Sequence, residues 1–181
     1  MTVLAATIDR ERRVAYMACD RWATGDLVVQ NRVSKIKRLG KALVGLSGDP
    51  VGKLYLHEAE PLRDLEATED WMVRLTLGWR AWGKTQGFGE VHQGDYCLPW
   101  YVLVATPRGL WTISSTSGLG ELYDDYAAQG SGLGPALGAM WRESQVEGWC
   151  RKVTAIQGVM AAIAHGEGCG GAVVVERVEE G

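Results

Sequence analysis

The sequence predicts an α+β fold built as a four-layer αββα sandwich, two antiparallel sheets stacked face to face with helices on both outer surfaces. Three observations carry that expectation. Strand-like and helix-like stretches come in blocks (strands, helices, strands, helices, a last strand) without the βα alternation of a parallel sheet. The helix-like stretches are amphipathic, as helices covering a sheet must be. The 181 residues, 24 of them glycine, suffice for a sizeable core and many tight turns, and no Pro/Ser-rich linker or charge block divides residues 1–181 into two domains. Element order alone leaves open an α+β domain with a single sheet.

The elements follow in order. Residues 2–8 (TVLAATI) and 14–19 (VAYMAC) are apolar, β-prone runs separated by the polar turn DRERR, a hairpin. Two more strands are expected at Val33–Leu39 and Ala42–Ser47, ending in Ser47-Gly48-Asp49-Pro50, a turn that suits a helix start. That helical stretch breaks near Pro61. Thr68-Glu69-Asp70 then offers a cap for a helix whose Met72, Leu75, Trp79 and Trp82 form one stripe. Residues 83–95 are Gly-rich and read as loop. Trp100–Thr106 and Leu110–Ser114 are strands joined by Pro107-Arg108-Gly109. A helix from Leu133 is expected to bury Leu137, Met140, Trp141 and Ser144, and another to bury Val153, Ile156, Met160 and Ile163. Gly170-Gly171 precedes a last strand, Ala172–Val178.

Composition excludes several classes. The net charge of −3 comes from interspersed acids and bases, with no basic stripe for a phosphate backbone, so nucleic acid is not an expected partner. No signal-like segment and no apolar run of roughly 20 residues occurs, so the expected location is the cytoplasm with no membrane association. Cys19, Cys97, Cys150 and Cys169 never pair as C-x-x-C, and His57, His92 and His165 are isolated; no metal and no cofactor is expected. Residues 48–53 (GDPVGK) have too short a spacing for a phosphate loop, and 130–134 (GSGLG) lacks the third glycine of a dinucleotide fingerprint.

Six strings in order, TVLAA, ACDR, RVSKIKRL, KALVGLSG, QGSG and GCGGAVVV, resemble the proteasome β-subunit family of N-terminal-nucleophile hydrolases, and most of all its bacterial heat-shock locus V peptidases. The resemblance spans nearly the whole chain. It implies a threonine peptidase: the hydroxyl of Thr2 attacks the peptide carbonyl and its α-amine, with a reference pKa of about 8, takes the proton once Met1 is removed. Lys35 matches the lysine that favours the deprotonated nucleophile, and Asp20 the aspartate that holds it. Gly48 matches the oxyanion donor and Ser131 the serine beside the amine. Leu46 is expected to line the pocket for the substrate side chain. Family members work as closed rings, so the resemblance also implies self-association, unfolded polypeptide as substrate, and an ATPase unfoldase as partner.

The chain departs from the family pattern in three respects. The opening hairpin is two residues longer, and a one-residue slip of the first strand would put Met1 in the place of Thr2; TVLAAT is apolar on both faces and does not decide the register. Gly166 and Cys169 stand where the family carries an aspartate and a serine, with Glu167 one position from the missing acid. Trp22 stands where Arg or Gln is common. Retention of Met1 would leave a catalytically inactive ring scaffold, the alternative function class; an amidase acting on a small molecule is the third.

Overall fold

A computed structural model of the chain describes residues 2–24, 29–30, 34–59, 62, 68–116, 118–122 and 124–180; of the strand residues 23–24 and 29–30 it describes the backbone. Met1, Val33 and Pro61, on which three of the expectations rest, lie outside the described residues.

Strands β1 (Val3–Asp9), β2 (Val14–Asp20), β12 (Tyr126–Gly130) and β13 (Val173–Glu179) form one antiparallel sheet in the order β12-β1-β2-β13. The second sheet has the order β11-β10-β9-β6-β5, from β5 (Ile36–Leu39), β6 (Ala42–Gly48), β9 (Trp100–Thr106), β10 (Gly109–Ile113) and β11 (Leu119–Leu122). Short pairs, β3 (Ala23–Thr24) with β4 (Val29–Gln30) and β7 (Glu90–His92) with β8 (Asp95–Cys97), complete the strands among the described residues. A turn of 3-10 helix at Pro50–Lys53 and the single turn α1 (Tyr55–Glu58) follow β6; then come α2 (Glu69–Thr85), α3 (Leu133–Ser144) and α4 (Arg151–His165).

Strand alternation sorts the apolar side chains into three layers of contact, and two sheets with three cores make the four-layer sandwich. Leu4, Ala6 and Ile8 of β1 face Leu43, Leu103 and Leu110 between the sheets. Val3 and Ala5 face the α3/α4 layer. On the far side Val44, Leu46, Val102 and Val104 meet α2. Thr68 accepts the Trp71 N–H through its side chain, starting α2 as expected. Met72, Leu75, Trp79 and Trp82 are all buried, joined by Trp71, each contributing about 1.5–3 kcal/mol of burial.

Several expectations give way. The stretch 83–95 is not all loop, since α2 runs to Thr85 and β7 begins at Glu90. Strands β11 and β12 come from segments without a strand pattern. On α3 the buried residues are Ala136 and Met140, while Trp141 is 60% exposed. On α4 they are Thr154, Ala155, Gly158, Val159 and Ala162, while Val153 and Met160 are exposed. The reason is distance: a Cβ on Gly158 would meet Met140 Cγ at 2.8 Å and Ala5 Cβ at 3.3 Å. The small-residue face of α4 lets it approach α3 and the sheet, which turns the bulkier stripe outward.

Candidate active site

Five strands change character on the same face at the same end of the sandwich. Two residues beyond an inward apolar position stands an inward polar one: Thr2 beyond Leu4, Ser47 beyond Gly45, Tyr101 beyond Leu103, Thr112 beyond Leu110 and Gln129 beyond Ala127. These five, with Gly48, Ala128, Gly130, Ser131 and Leu133, line a cleft of about 680 Å³ that continues the space between the sheets. No charged side chain is among them.

Thr2 is 7% exposed and directly precedes β1. Alternation with Leu4 and Ala6 assigns its side chain to the inter-sheet face, the register in which Thr2 faces the cleft. Pairing of Val3 with Gly130 brings the turn after β12 alongside. There the Thr2 N–H donates to Ser131 Oγ at 3.2 Å, and the Ser131 hydroxyl donates back to the Thr2 carbonyl at 3.2 Å. Cys169 Sγ lies 3.7 Å from the same Ser131 oxygen. Burial pushes both the Cys169 and the Cys19 thiols above their ordinary pKa.

Behind the cleft is a buried ion pair. Lys35 Nζ donates to Asp20 Oδ1 at 2.6 Å, their side chains being 5% and 0% exposed. The same oxygen accepts the Val3 N–H at 2.9 Å, and Oδ2 accepts the Gly170 N–H at 3.2 Å. One carboxylate thus ties the start of β1, the end of β2, the start of β5 and the segment before β13 together. The Leu46 N–H donates to the Lys35 carbonyl at 3.0 Å, fixing the lysine against β6. Charge-assisted bonds of this kind are short and hold position well.

Gly48 ends β6 with φ +100°, a conformation side chains resist, and a Cβ there would lie 2.4 Å from the Pro99 carbonyl oxygen. The backbone alone therefore requires glycine at this rim. Of the residues singled out in the sequence, Thr2, Gly48 and Ser131 share the cleft, and Asp20 with Lys35 forms the pair behind it. Leu46 does not join them. It faces α2 on the other side of its sheet, beside Val102 and Trp100. Glu167 is exposed in the turn after α4, and no hydrogen bond among the described residues links it to Thr2 or Ser131. Gly166 packs so closely that a Cβ would meet the Ala162 carbonyl oxygen at 2.5 Å, so this backbone has no room for an aspartate there.

Ser47, Tyr101, Thr112 and Gln129 escaped the sequence reading. The signal that would have found them is the i±2 step from an inward apolar residue to a polar one at strand ends, legible once the pairing of strands is known. Among the described residues no group of three His, Cys, Asp or Glu side chains gathers as metal ligands, and no helix is long and apolar enough to cross a membrane.

No family model and no curated protein matches the chain. Solved structures do. BPH from Thiobacillus denitrificans is 24% identical with a TM-score of 0.79, covering 99% of this chain and 98% of that one. In complex with epoxomicin, BPH matches with the same identity and coverage at a TM-score of 0.77. The eukaryotic HslV of Trypanosoma brucei is 18% identical, with a TM-score of 0.78 over 99% of this chain and 100% of that one. Over nearly its whole length the chain has the HslV-type fold, the αββα sandwich of the N-terminal-nucleophile hydrolases.

Proposed function

We infer that the protein is a threonine peptidase that uses the residue exposed by loss of Met1. The observation that carries the reading is the convergence of Thr2, Gly48 and Ser131 on one cleft, with the Asp20–Lys35 pair clamped to the first strand behind them. In this reading the Thr2 hydroxyl attacks the carbonyl of a bound peptide and gives its proton to the Thr2 α-amine, which Ser131 orients. The Gly48 N–H stabilises the oxyanion. Collapse breaks the C–N bond, the amine passes its proton to the leaving nitrogen, and water then hydrolyses the Thr2 ester. Asp20 positions Lys35, whose charge favours the deprotonated forms of hydroxyl and amine.

Self-association is part of the reading. Trp141, Met160 and Val153 are 60%, 50% and 42% exposed on the outer helical layer. A Cβ on Gly134 or Gly138 of α3 would touch nothing within 4 Å, so neither glycine serves packing inside the protomer. Each costs about 0.5–1 kcal/mol relative to alanine in a helix, a cost that close approach of a second copy would offset. Enclosure of the cleft in a ring would restrict it to unfolded polypeptide, supplied by an ATPase partner.

One observation favours the rival reading, an inactive ring scaffold: the acid expected near the nucleophile's amine is absent and its place is closed at Gly166. Peptide turnover separates the two. The Met-free protein should hydrolyse a fluorogenic peptide, Thr2→Ala should be inactive, and Thr2→Ser should retain activity. Equal rates for wild type and Thr2→Ala would reject the peptidase.

A further inference from the structure

The geometry points to a substrate class: peptides that place an uncharged hydrogen-bonding side chain, Ser, Thr, Asn or Gln, in the cleft against Ser47 and Gln129. The inference rests on the peptidase reading of this site.

Two polar atoms of the lining lack partners. Ser47 is 3% exposed and its buried hydroxyl makes no hydrogen bond; the Gln129 Oε1 is likewise buried and unbonded. Both side chains stand on inward positions of their strands, Ser47 on the five-stranded sheet and Gln129 on the four-stranded one, so they meet the cleft from opposite walls. Thr2, just before the strand paired with β12, lies diagonally across from Gln129, since Leu4 pairs with Gln129 and Val3 with Gly130. A buried polar group left unpaired is costly, and a ligand that pairs it recovers that cost on binding.

The remaining lining narrows the ligand. Tyr101, Thr112 and Ser131 add hydroxyls, Leu133 adds apolar contact, and none of the described residues lining the cleft carries a charged side chain. An ionised Asp, Glu, Lys or Arg side chain would be desolvated there with no charged side chain of the lining to pair it. An aliphatic side chain would leave the Ser47 and Gln129 oxygens unpaired. A hydroxyl or carboxamide satisfies both and carries no charge. Sites built to bond a polar group reject analogues that lack it more strongly than apolar pockets reject an extra methylene.

The test is a series of fluorogenic peptides that differ only in the residue on the acyl side of the scissile bond, Leu, Ser, Asn, Gln, Asp or Lys, with kcat/KM read for the Met-free protein. Asn, Gln and Ser peptides should exceed the Leu peptide by about tenfold, the ratio that about 1.4 kcal/mol of hydrogen bonding supplies. They should exceed Asp and Lys by more. In Ser47→Ala the preference over Leu should shrink to within about threefold, and Gln129→Met, of similar volume, should act in the same direction. Because the Ser47 hydroxyl is unpartnered in the free protein, Ser47→Ala should unfold at or above the wild-type temperature, so loss of selectivity is not loss of fold. A Leu peptide cleaved as well as the Asn peptide, or a preference unchanged in both variants, overturns the inference and leaves the peptidase intact. No turnover of any peptide overturns the peptidase reading and this inference together.

Discussion

Replacing Lys35 with methionine strands a carboxylate in the interior. Asp20 is fully buried and Lys35 nearly so, and their contact at 2.6 Å is the charge compensation the carboxylate receives. Breaking such a pair from one side costs about 3–5 kcal/mol, because the remaining charge keeps its desolvation penalty. The Val3 and Gly170 N–H groups still donate to Asp20, which places Lys35→Met near the lower end, about 3 kcal/mol. For a chain of this size that is a fall in Tm of about 6–12 °C. Asp20→Asn added to Lys35→Met removes the stranded charge while its amide oxygen can still accept the Val3 N–H. The double variant should recover about 2 kcal/mol relative to Lys35→Met, a coupling typical of residues in direct contact. The assay is thermal and guanidinium unfolding of all three proteins at one fixed concentration, since self-association would shift apparent stability. Lys35→Met within about 0.5 kcal/mol of wild type, the range of surface substitutions, would refute the buried pair, and additive losses in the double variant would refute the coupling.

Other outcomes follow from the same geometry. Gly48→Ala, forced into a positive φ against the Pro99 carbonyl, should lose at least about 1–3 kcal/mol of stability and most peptide turnover; a neutral result would show that the rim is not built as described. Alkylation read by mass spectrometry should modify Cys97 and Cys150 quickly in the native protein, and Cys19 and Cys169 at a comparable rate only in denaturant. The two buried thiols also set a sign with pH. Their folded pKa values lie above the ordinary 9.0, so the stability they contribute is present below pH 9 and is lost as pH rises through the raised values. A Cys19→Ala, Cys169→Ser protein should therefore show a flatter alkaline decline, and an unchanged slope would reject that assignment. Trp141→Glu and Gly134→Leu, placed on the open face of α3, should lower the mass found by sedimentation while the far-UV circular dichroism of the folded chain stays unchanged; an unchanged mass would remove that face from the assembly.

Much of the architecture was legible because the physics is local. The β1, β2, β6, β9, β10 and β13 segments are apolar runs punctuated by turn residues, and α2 carries a cap and a stripe of large side chains. The missed strands are those whose residues argue for nothing alone. Leu119–Leu122 and Tyr126–Gly130 contain Gly and Ala and are mostly half-exposed, and they exist because β10 and β1 offer edges to pair with. On α3 and α4 the spacing of the largest apolar residues predicts that they face the core; the core instead takes the small ones, where Gly158 admits Met140.

The site divides in the same way. Thr2, Asp20, Lys35, Gly48 and Ser131 were singled out through resemblance to a family, since a threonine near an N-terminus or a lysine in a basic run signals little alone. Geometry then gave reasons the sequence lacks: the clamp of Asp20 on Val3, the bonds between Thr2 and Ser131, and the steric demand at Gly48. The polar ring of Ser47, Tyr101, Thr112 and Gln129 depends on pairing between residues as far apart in sequence as Leu4 and Gln129, and no local pattern announces it.

The central claim is that Thr2, freed of Met1, is the nucleophile. Mass spectrometry of the protein after treatment with a covalent threonine-directed probe tests it most directly. The native mass should be one methionine lighter than the full sequence, with one probe added on the peptide that begins at Thr2 and none in Thr2→Ala. A Met-free protein that takes up no probe, or labelling that persists in Thr2→Ala, would contradict it.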